Sequence, residues 1–504
     1  MRRTTPWFGV LAALVLAACG DDGPSGGGGP VDVQFQTIRS ATDTVTARIT
    51  MDDTLTFLVK GDTVITGVPS GQHRFVVVTT LDYLPFSFTQ NISAGRANVA
   101  IPRPGSCRIV PQDAVFCQDK NALYWPGHTL VVCPANDYGE ICTAISDPFF
   151  LGLTWPDTLP DAANAYIGEG KLLIGALRDA PAGGEDTLAM AFYQIGDYAP
   201  RQQIRPVGTD STRWRSVVWT DVRHTPFFGF TAPRLADDDR PGQNFGLEVA
   251  ITAYLPPGER NALLIRFDVT NISATDDWRF HHPEAPATGH TLRDVYLAPF
   301  FDFDIGAPQT LDRANHPEIR DDNITAFPAE SLLVAYDQAF QVTSFSSTFR
   351  NQPGLVGVQV VETPPGTEAR ALFLSDTVGT TRLILDYLPA AREDSSYAIY
   401  SAGRAGAQLL RPQCVVSAHA LDCAPETGND VKGGWSIGPI PTIAPGETVS
   451  LTIGILLAQP TPGSVTGGTV IRPGNDSLPT TRLITPIAGD LRTRAAAVRA
   501  LRVP

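Results

Sequence analysis

The sequence predicts an all-β protein: a small N-terminal β-domain, a large multi-sheet β-sandwich region and a short C-terminal helix. The 504 residues include 45 glycines and 42 prolines, and only 18% are charged. Many short strands joined by tight turns produce that balance. Segments of strand length alternate apolar with polar residues, as half-buried strands do. No long stretch of helical periodicity lies between them. Hydrophobic residues make up 43% of the chain, enough for a sizeable core.

The N-terminus comes first. Arg2 and Arg3 precede an uncharged apolar run of 12 residues, Trp7 to Ala18. A membrane-spanning helix needs about 20 such residues, whereas this length and basic flank fit the apolar region of a secretory signal. The run ends in Leu16-Ala17-Ala18-Cys19-Gly20, an aliphatic residue, two small residues and a cysteine. This motif resembles the lipobox of bacterial lipoproteins. The resemblance implies residues 1–19 as a signal peptide with lipobox, cut before Cys19, and a diacylglycerol on the Cys19 thiol. The chain is then expected in the cell envelope, lipid-anchored to a bacterial membrane, with the outer membrane or cell surface favoured over the inner membrane. Residues 20–30, GDDGPSGGGGP, have no apolar side chain to bury and are expected to form a disordered tether. A Gly-rich coil of that length has a typical end-to-end distance of roughly 18 Å.

Residues 31–102 read as a small β-domain. Thr44 to Thr50 alternates with period two, followed by Thr54 to Val59, a Lys60-Gly61-Asp62 turn and Thr63-Val64-Ile65. Then Gly67-Val68-Pro69-Ser70-Gly71-Gln72-His73 leads into Arg74-Phe75-Val76-Val77-Val78. This strand, turn and return strand resemble the PEGA-like surface modules of bacterial envelope proteins. The resemblance gives Gly71 the turn and His73 the start of the strand, not a catalytic role.

Residues 103–460 read as one larger β-rich region. Strands are expected at Lys171–Leu177, Thr187–Tyr193, Arg215–Thr220, Gly246–Tyr254 and Ala262–Asn271, separated by turn residues. Five pieces occur in order: Phe267-Asp268-Val269-Thr270-Asn271-Ile272-Ser273, Asp294 to Gly306, Leu333-Val334-Ala335-Tyr336-Asp337, Gly354-Leu355-Val356-Gly357-Val358 and Ile437 to Val449. Together they resemble a diffuse set of uncharacterised secreted bacterial β-sandwich proteins. That likeness implies architecture and no activity. In residues 461–504 a surface connection is expected to precede a helix over Ala488–Leu501. Ala and Arg favour helix there, Leu491, Val498 and Leu501 share a face, and Asp490 is placed to cap its start.

Beyond Cys19 six cysteines remain: Cys107, Cys117, Cys133, Cys142, Cys414 and Cys423. They fall into three local couples, and an exported chain lives where disulfides persist. The expected bridges are therefore Cys107–Cys117, Cys133–Cys142 and Cys414–Cys423. Each closes a loop of about 10 residues, worth roughly 2.5–3 kcal/mol in the chain-entropy model. Zinc ligation would call for C-x₂₋₄-C spacing, which is missing.

Removing Arg2 and Arg3 from the 38 basic residues leaves 36 against 52 acidic ones, a net charge of −16. Nucleic-acid binding needs a concentrated basic surface, so that class is excluded. Asp302 and Asp304 share a face if they lie on a strand, and Gly306, Asp312, Asp321, Asp322 and Asn323 follow in polar sequence. Hard calcium ions take six to eight oxygen ligands. Asp302, Asp304, Asp321, Asp322 and Asn323 are thus candidate calcium ligands, and calcium is the one cofactor considered. A solvated acidic loop is the simpler reading, and a glycosidase would use such carboxylates about 5–10 Å apart. His281, His282 and His290 sit in a Pro/Gly-rich loop, and packing is the commoner fate of such residues than metal binding. Asp237-Asp238-Asp239 reads as a solvated loop. There is no G-x-S-x-G, no H-E-x-x-H and no P-loop, so no catalytic residue is assigned. Trp125, Trp214, Trp219, Trp278 and Trp435 either pack in the core or line a sugar-binding face. The expectation is a non-enzymatic binding or structural protein, held to the membrane by its lipid, with a protein or glycan ligand. A carbohydrate-active enzyme is the alternative.

Overall fold

The computed structural model describes residues 31–37, 46–60, 63–79, 86–92, 97–101, 107–109, 115–117, 140–141, 153–155, 165–180, 183–190, 198–220, 245–256, 258–259, 261–283, 285–303, 305, 322–337, 354–375, 397–398, 400–401, 415–417, 420–422, 431–464 and 480–501. They are mostly strand. The chain divides into two compact units, the first comprising Met1–Val77 with Phe86–Pro102 and the second the remainder. No helix among the described residues is long and apolar enough to cross a membrane.

Unit 1 holds β1 (Val31–Thr37), β2 (Thr46–Met51), β3 (Leu55–Lys60), β4 (Thr63–Val68), β5 (Gly71–Thr79), β6 (Phe86–Ile92) and β7 (Ala97–Ile101). One sheet has the order β4-β1-β7, the other β3-β2-β5-β6. Period-two patterning decides which side chains go inside. Ala47, Ile49 and Met51 of β2 and Phe75 and Val77 of β5 are buried together with Val59, Val68 and Ile92. The strand containing His73 begins two residues earlier than expected, at Gly71, whose φ of 137° suits a residue without Cβ.

Unit 2 contains two small ladders, β8 (Cys107–Ile109) with β9 (Val115–Cys117), and β11 (Leu153–Thr154) with β12 (Ala165–Ile167). Its main body is two large sheets. The six-stranded one orders β10 (Glu140–Ile141), β13 (Glu169–Asp179), β19 (Leu292–Phe303), β26 (Val431–Ile443) and β23 (Glu368–Ser375), with β14 (Glu185–Ala189) also on β13. The ten-stranded one orders β15 (Tyr198–Val207), β16 (Asp210–Thr220), β17 (Leu247–Tyr254), β18 (Ala262–Asn271), β27 (Thr448–Ala458), β22 (Leu355–Glu362), β21 (Leu332–Asp337), β20 (Asp322–Phe327), β25 (Ala420–Asp422) and β24 (Val415–Ser417). Residues 262–270 pair with 448–456, and residues 292–303 with 431–443, so strands distant in sequence lock both sheets.

The two sheets pack face to face. Leu263, Ile265, Phe267 and Val269 of β18 join Leu451, Ile453, Ile455 and Leu457 of β27 in one core with Phe301, Trp435 and Ile437 from the other sheet. Trp435 donates its indole N–H to the Val358 carbonyl at 2.9 Å across that interface. Full burial of a large apolar side chain is worth about 1.5–3 kcal/mol, so this interface dominates the stability of unit 2. At Gly434 of β26 a Cβ would collide with the Pro299 carbonyl of β19, so that position is held to glycine.

The outer face of the ten-stranded sheet is divided. At one end Leu264, Leu456, Leu332, Val334 and Tyr336 are covered by α2 (Thr480–Ile487) and α3 (Gly489–Arg499), chiefly through Ile484, Leu491, Ala495 and Val498. The C-terminal helix is thus where the sequence places it, and Leu491 and Val498 share its buried face. Its start differs from expectation. Asp490 lies inside the first turn rather than at the cap, and no side chain caps the helix from Ala488. The Thr461 hydroxyl accepts from the Asp490 N–H at 3.1 Å instead. The preceding stretch, expected as a surface connection, contains α2.

Candidate functional site

Of the acidic candidates, Asp302 is in β19, while Asp322 and Asn323 open β20. Asp304 and Asp321 lie outside the described residues. Asp302 is half-buried, and its directly opposed neighbour on β26 is Lys432, which is buried. An ammonium on the same face competes with a calcium ion for that carboxylate. Among the described residues, no group of three His, Cys, Asp or Glu side chains is placed to hold a metal ion.

Of the cysteines, Cys107 and Cys117 have a described backbone and are directly opposed in the β8–β9 ladder. Cys19, Cys133, Cys142, Cys414 and Cys423 lie outside the described residues, as does Asp237-Asp238-Asp239. The β24–β25 hairpin lies in the interval between Cys414 and Cys423.

The three histidines fall on a buried polar knot that the sequence reading missed. Asn271 ends β18 and is fully buried. Its side-chain amide donates to the carbonyls of His290 at 2.9 Å and Ile443 at 2.8 Å. Its side-chain oxygen accepts from the Ser273 N–H at 3.0 Å and the Ser273 hydroxyl at 2.7 Å. Gly246 and Gly289, both at positive φ, close on Ser273, where a Cβ on either would come within 2.7 Å. Thr275 then caps α1 (Asp276–His281), accepting from the Trp278 N–H at 3.3 Å. Residues expected as loop are therefore helical up to His281. Thr275 followed by Asp276 and Asp277 was the available signal, an N-cap before an acidic first turn.

This arrangement packs the histidines rather than presenting them. His282 stacks on Trp278 with ring centroids 4.4 Å apart, and His281 meets Trp219 edge-on at 5.7 Å. The His290 Nε2 faces the Phe245 carbonyl at 2.9 Å, so that nitrogen carries the proton. Burial pushes the His290 pKa down to about 4, because the charged ring would lose its water. The neutral ring then serves as a structural donor.

The other half of the ten-stranded sheet's outer face is polar. It presents side chains from four adjacent strands, β16, β17, β18 and β27. Arg266 donates to Asp268 at 2.8 Å and to the Ser450 hydroxyl at 3.2 Å, and Ser450 donates to Asp268 at 2.6 Å. The hydroxyls of Thr270 and Thr448 lie 2.8 Å apart. The Trp219 indole N–H donates to Glu248 at 3.0 Å, and the Arg213 guanidinium lies over the Tyr254 ring at 5.3 Å. Arg215 stands exposed in the same face, opposite Thr252. Both central carboxylates are engaged by donors, so the face offers hydrogen bonds and charge rather than a carboxylate poised for proton transfer. Trp214 packs against the core and Trp435 is buried in it, while Trp125 lies outside the described residues.

In unit 1, His73 clamps two turns. Its Nδ1 lies 2.6 Å from an Asp52 carboxylate oxygen and its Nε2 lies 2.9 Å from the Pro69 carbonyl. The other Asp52 oxygen accepts the Arg74 N–H at 2.9 Å. The hydrogen bonds from His73 and from the Arg74 amide hold the Asp52 carboxyl below the usual carboxylate range. His73 thus ties the start of β5 to Asp52 and Pro69.

Compared with models of protein families and with curated proteins, the chain matches none.

Proposed function

We propose that this chain is a bacterial envelope lipoprotein, anchored through lipid on Cys19, that acts as a non-enzymatic binding or structural β-sandwich protein. The observation that carries the proposal is Leu16-Ala17-Ala18-Cys19 at the end of a basic and then apolar N-terminus. The Gly-rich stretch that follows separates anchor from folded units, and the first unit carries the PEGA-like turn. A membrane partner through the acyl chains, an outer-membrane or cell-surface location, and a protein or glycan ligand belong to the same reading. Nucleic acid does not, because of the acidic balance. The local cysteine couples are proposed as disulfides of an exported protein, with Cys107–Cys117 favoured by their opposed backbones.

A non-enzymatic role is supported by the engaged carboxylates of the polar face. Glycan binding on that face is the second reading, favoured by its hydroxyls, its arginines and the half-buried Tyr254. The anchoring test is direct. Cys19→Ala should abolish incorporation of labelled fatty acid and release the protein from the membrane fraction. A variant that stays lipid-labelled would sink the lipoprotein reading. For the second reading, Arg215→Ala should weaken retention on immobilised envelope polysaccharide, and unchanged retention counts against it.

A further inference from the structure

We infer that the β16 side of the polar sheet face binds an acidic polysaccharide, one that carries carboxylates among its hydroxyls, an inference that rests on the glycan reading above and deepens it. The chain as a whole is acidic, with 52 acidic residues against 38 basic ones. The hairpin of β15 and β16 inverts that balance. Between Tyr198 and Thr220 it carries four arginines, Arg201, Arg205, Arg213 and Arg215, against one acidic residue, Asp210. The register gathers them. On β16, Trp214 and Val218 pack into the core between the sheets, so Arg213 and Arg215 share the outer face. Arg205 holds the position opposite Arg215 on β15. Across the next strands Arg215 is opposed by Thr252, Thr252 by Arg266 and Arg266 by Thr452. One row thus crosses β16, β17, β18 and β27 at about 4.8 Å from strand to strand, with an arginine on each side of Thr252.

The surroundings select the ligand. Arg215 is exposed, and among the described residues no carboxylate pairs with it. The nearby carboxylates already have partners: Asp268 is held by Arg266 and Ser450, and Glu248 by the Trp219 indole. Arg213 lies over the Tyr254 ring. Stacking on an aromatic ring fixes the plane of a guanidinium, whose edge donates in pairs to a carboxylate. Thr252, Thr270 and Thr448 add hydroxyls to the same face. A neutral glycan would use those hydroxyls and leave Arg215 without a counter-charge. A polyanion without hydroxyls would use the arginines and leave the threonines idle. A uronic-acid polymer uses both. The negative charge of the whole chain does not cancel this local attraction, because at physiological ionic strength exposed charges are screened beyond about 8 Å.

The test uses the full chain, processed in cells and purified in a neutral detergent, with polygalacturonate and alginate as probes in affinity electrophoresis. Both polymers should retard the wild type, and reducing their carboxyls to alcohols should weaken retention on the order of tenfold. Arg215→Ala removes an exposed side chain and should weaken retention by the acidic polymers to a similar degree, as should Arg213→Ala. Arg370→Ala removes a positive charge from the other sheet and should bind as wild type. Equal retention by native and carboxyl-reduced polymers, lost in Arg215→Ala, overturns the acidic assignment and leaves the glycan reading standing. Equal retention by poly-L-glutamate overturns the polysaccharide in favour of any polyanion. Retention that Arg215→Ala leaves unchanged, or that Arg370→Ala weakens equally, overturns the placement on this face. No retention by either acidic polymer overturns the inference, and binding to immobilised envelope polysaccharide then decides separately whether the glycan reading stands.

Discussion

His73 and His290 each hold a turn in place, one in each unit, and they do it through different partners. Both His73 nitrogens meet oxygen partners, one of them the Asp52 carboxylate and the other the Pro69 carbonyl. His290 is half-buried and meets a backbone carbonyl through one nitrogen, and the loss of water around the ring favours its neutral form. The difference follows from the size of the two cores. Unit 1 buries a handful of apolar side chains and uses an exposed turn carboxylate as a partner. Unit 2 buries its knot behind two large sheets, where an ion would be stranded without water. A histidine takes its role from its neighbours, not from its place in a turn-rich sequence.

The comparison is broken most forcefully at Asn271. Asn271→Ala removes four hydrogen bonds and leaves the His290 and Ile443 carbonyls and the Ser273 amide buried without that partner. Each orphaned group costs about 1–3 kcal/mol, so a destabilisation of roughly 3–5 kcal/mol is expected in the chemical unfolding of unit 2. A loss below about 1 kcal/mol would show that the knot is not what secures the loop.

The next effect is the acid response of His290. An unfolded histidine titrates near the ordinary value of 6.5 and the folded one at about 4. Between those values the unfolded chain binds the extra proton, so acid favours unfolding. Stability should fall as pH drops from about 6.5 to about 4, by roughly 3 kcal/mol in all. His290→Gln should flatten that slope in unfolding curves taken across the window. A slope of the same size in the variant would place its origin elsewhere.

The smallest effect belongs to unit 1 and has a different window. The folded Asp52 carboxyl titrates below its ordinary value, so its contribution is full above the ordinary carboxylate range and vanishes as pH falls through the folded value. Asp52→Asn should therefore raise hydrogen exchange in residues 46–79 at pH 6 and make no difference in strong acid. Equal exchange in the two proteins at pH 6 would remove Asp52 from the clamp.

Much of the fold was legible because strand patterning is local. The run Ala262 to Asn271 shows its inward residues by alternation, and β18 occupies the same ten positions. The C-terminal helix was legible from its Ala and Arg content and from the spacing of Leu491 and Val498. The candidate sites were less so. Asn271 and Ser273 are common polar residues at a strand end, and nothing near them in sequence announces Gly246, His290 or Ile443 as their partners.

By itself, the sequence determined the basic and then apolar N-terminus that ends at Cys19, the all-β class, the inward positions of the strands and the acidic balance. Each depends on residue type and short-range spacing, which the chain carries without folding. Tertiary structure alone decided that Lys432 stands beside Asp302, that α2 and α3 cover one end of a sheet face and leave Arg266, Asp268 and Ser450 to form a polar surface, and that His290 is neutral. Those outcomes depend on distances between residues 45 to 184 positions apart. Desolvation and Coulomb energies act across such distances in space and leave no period in the sequence.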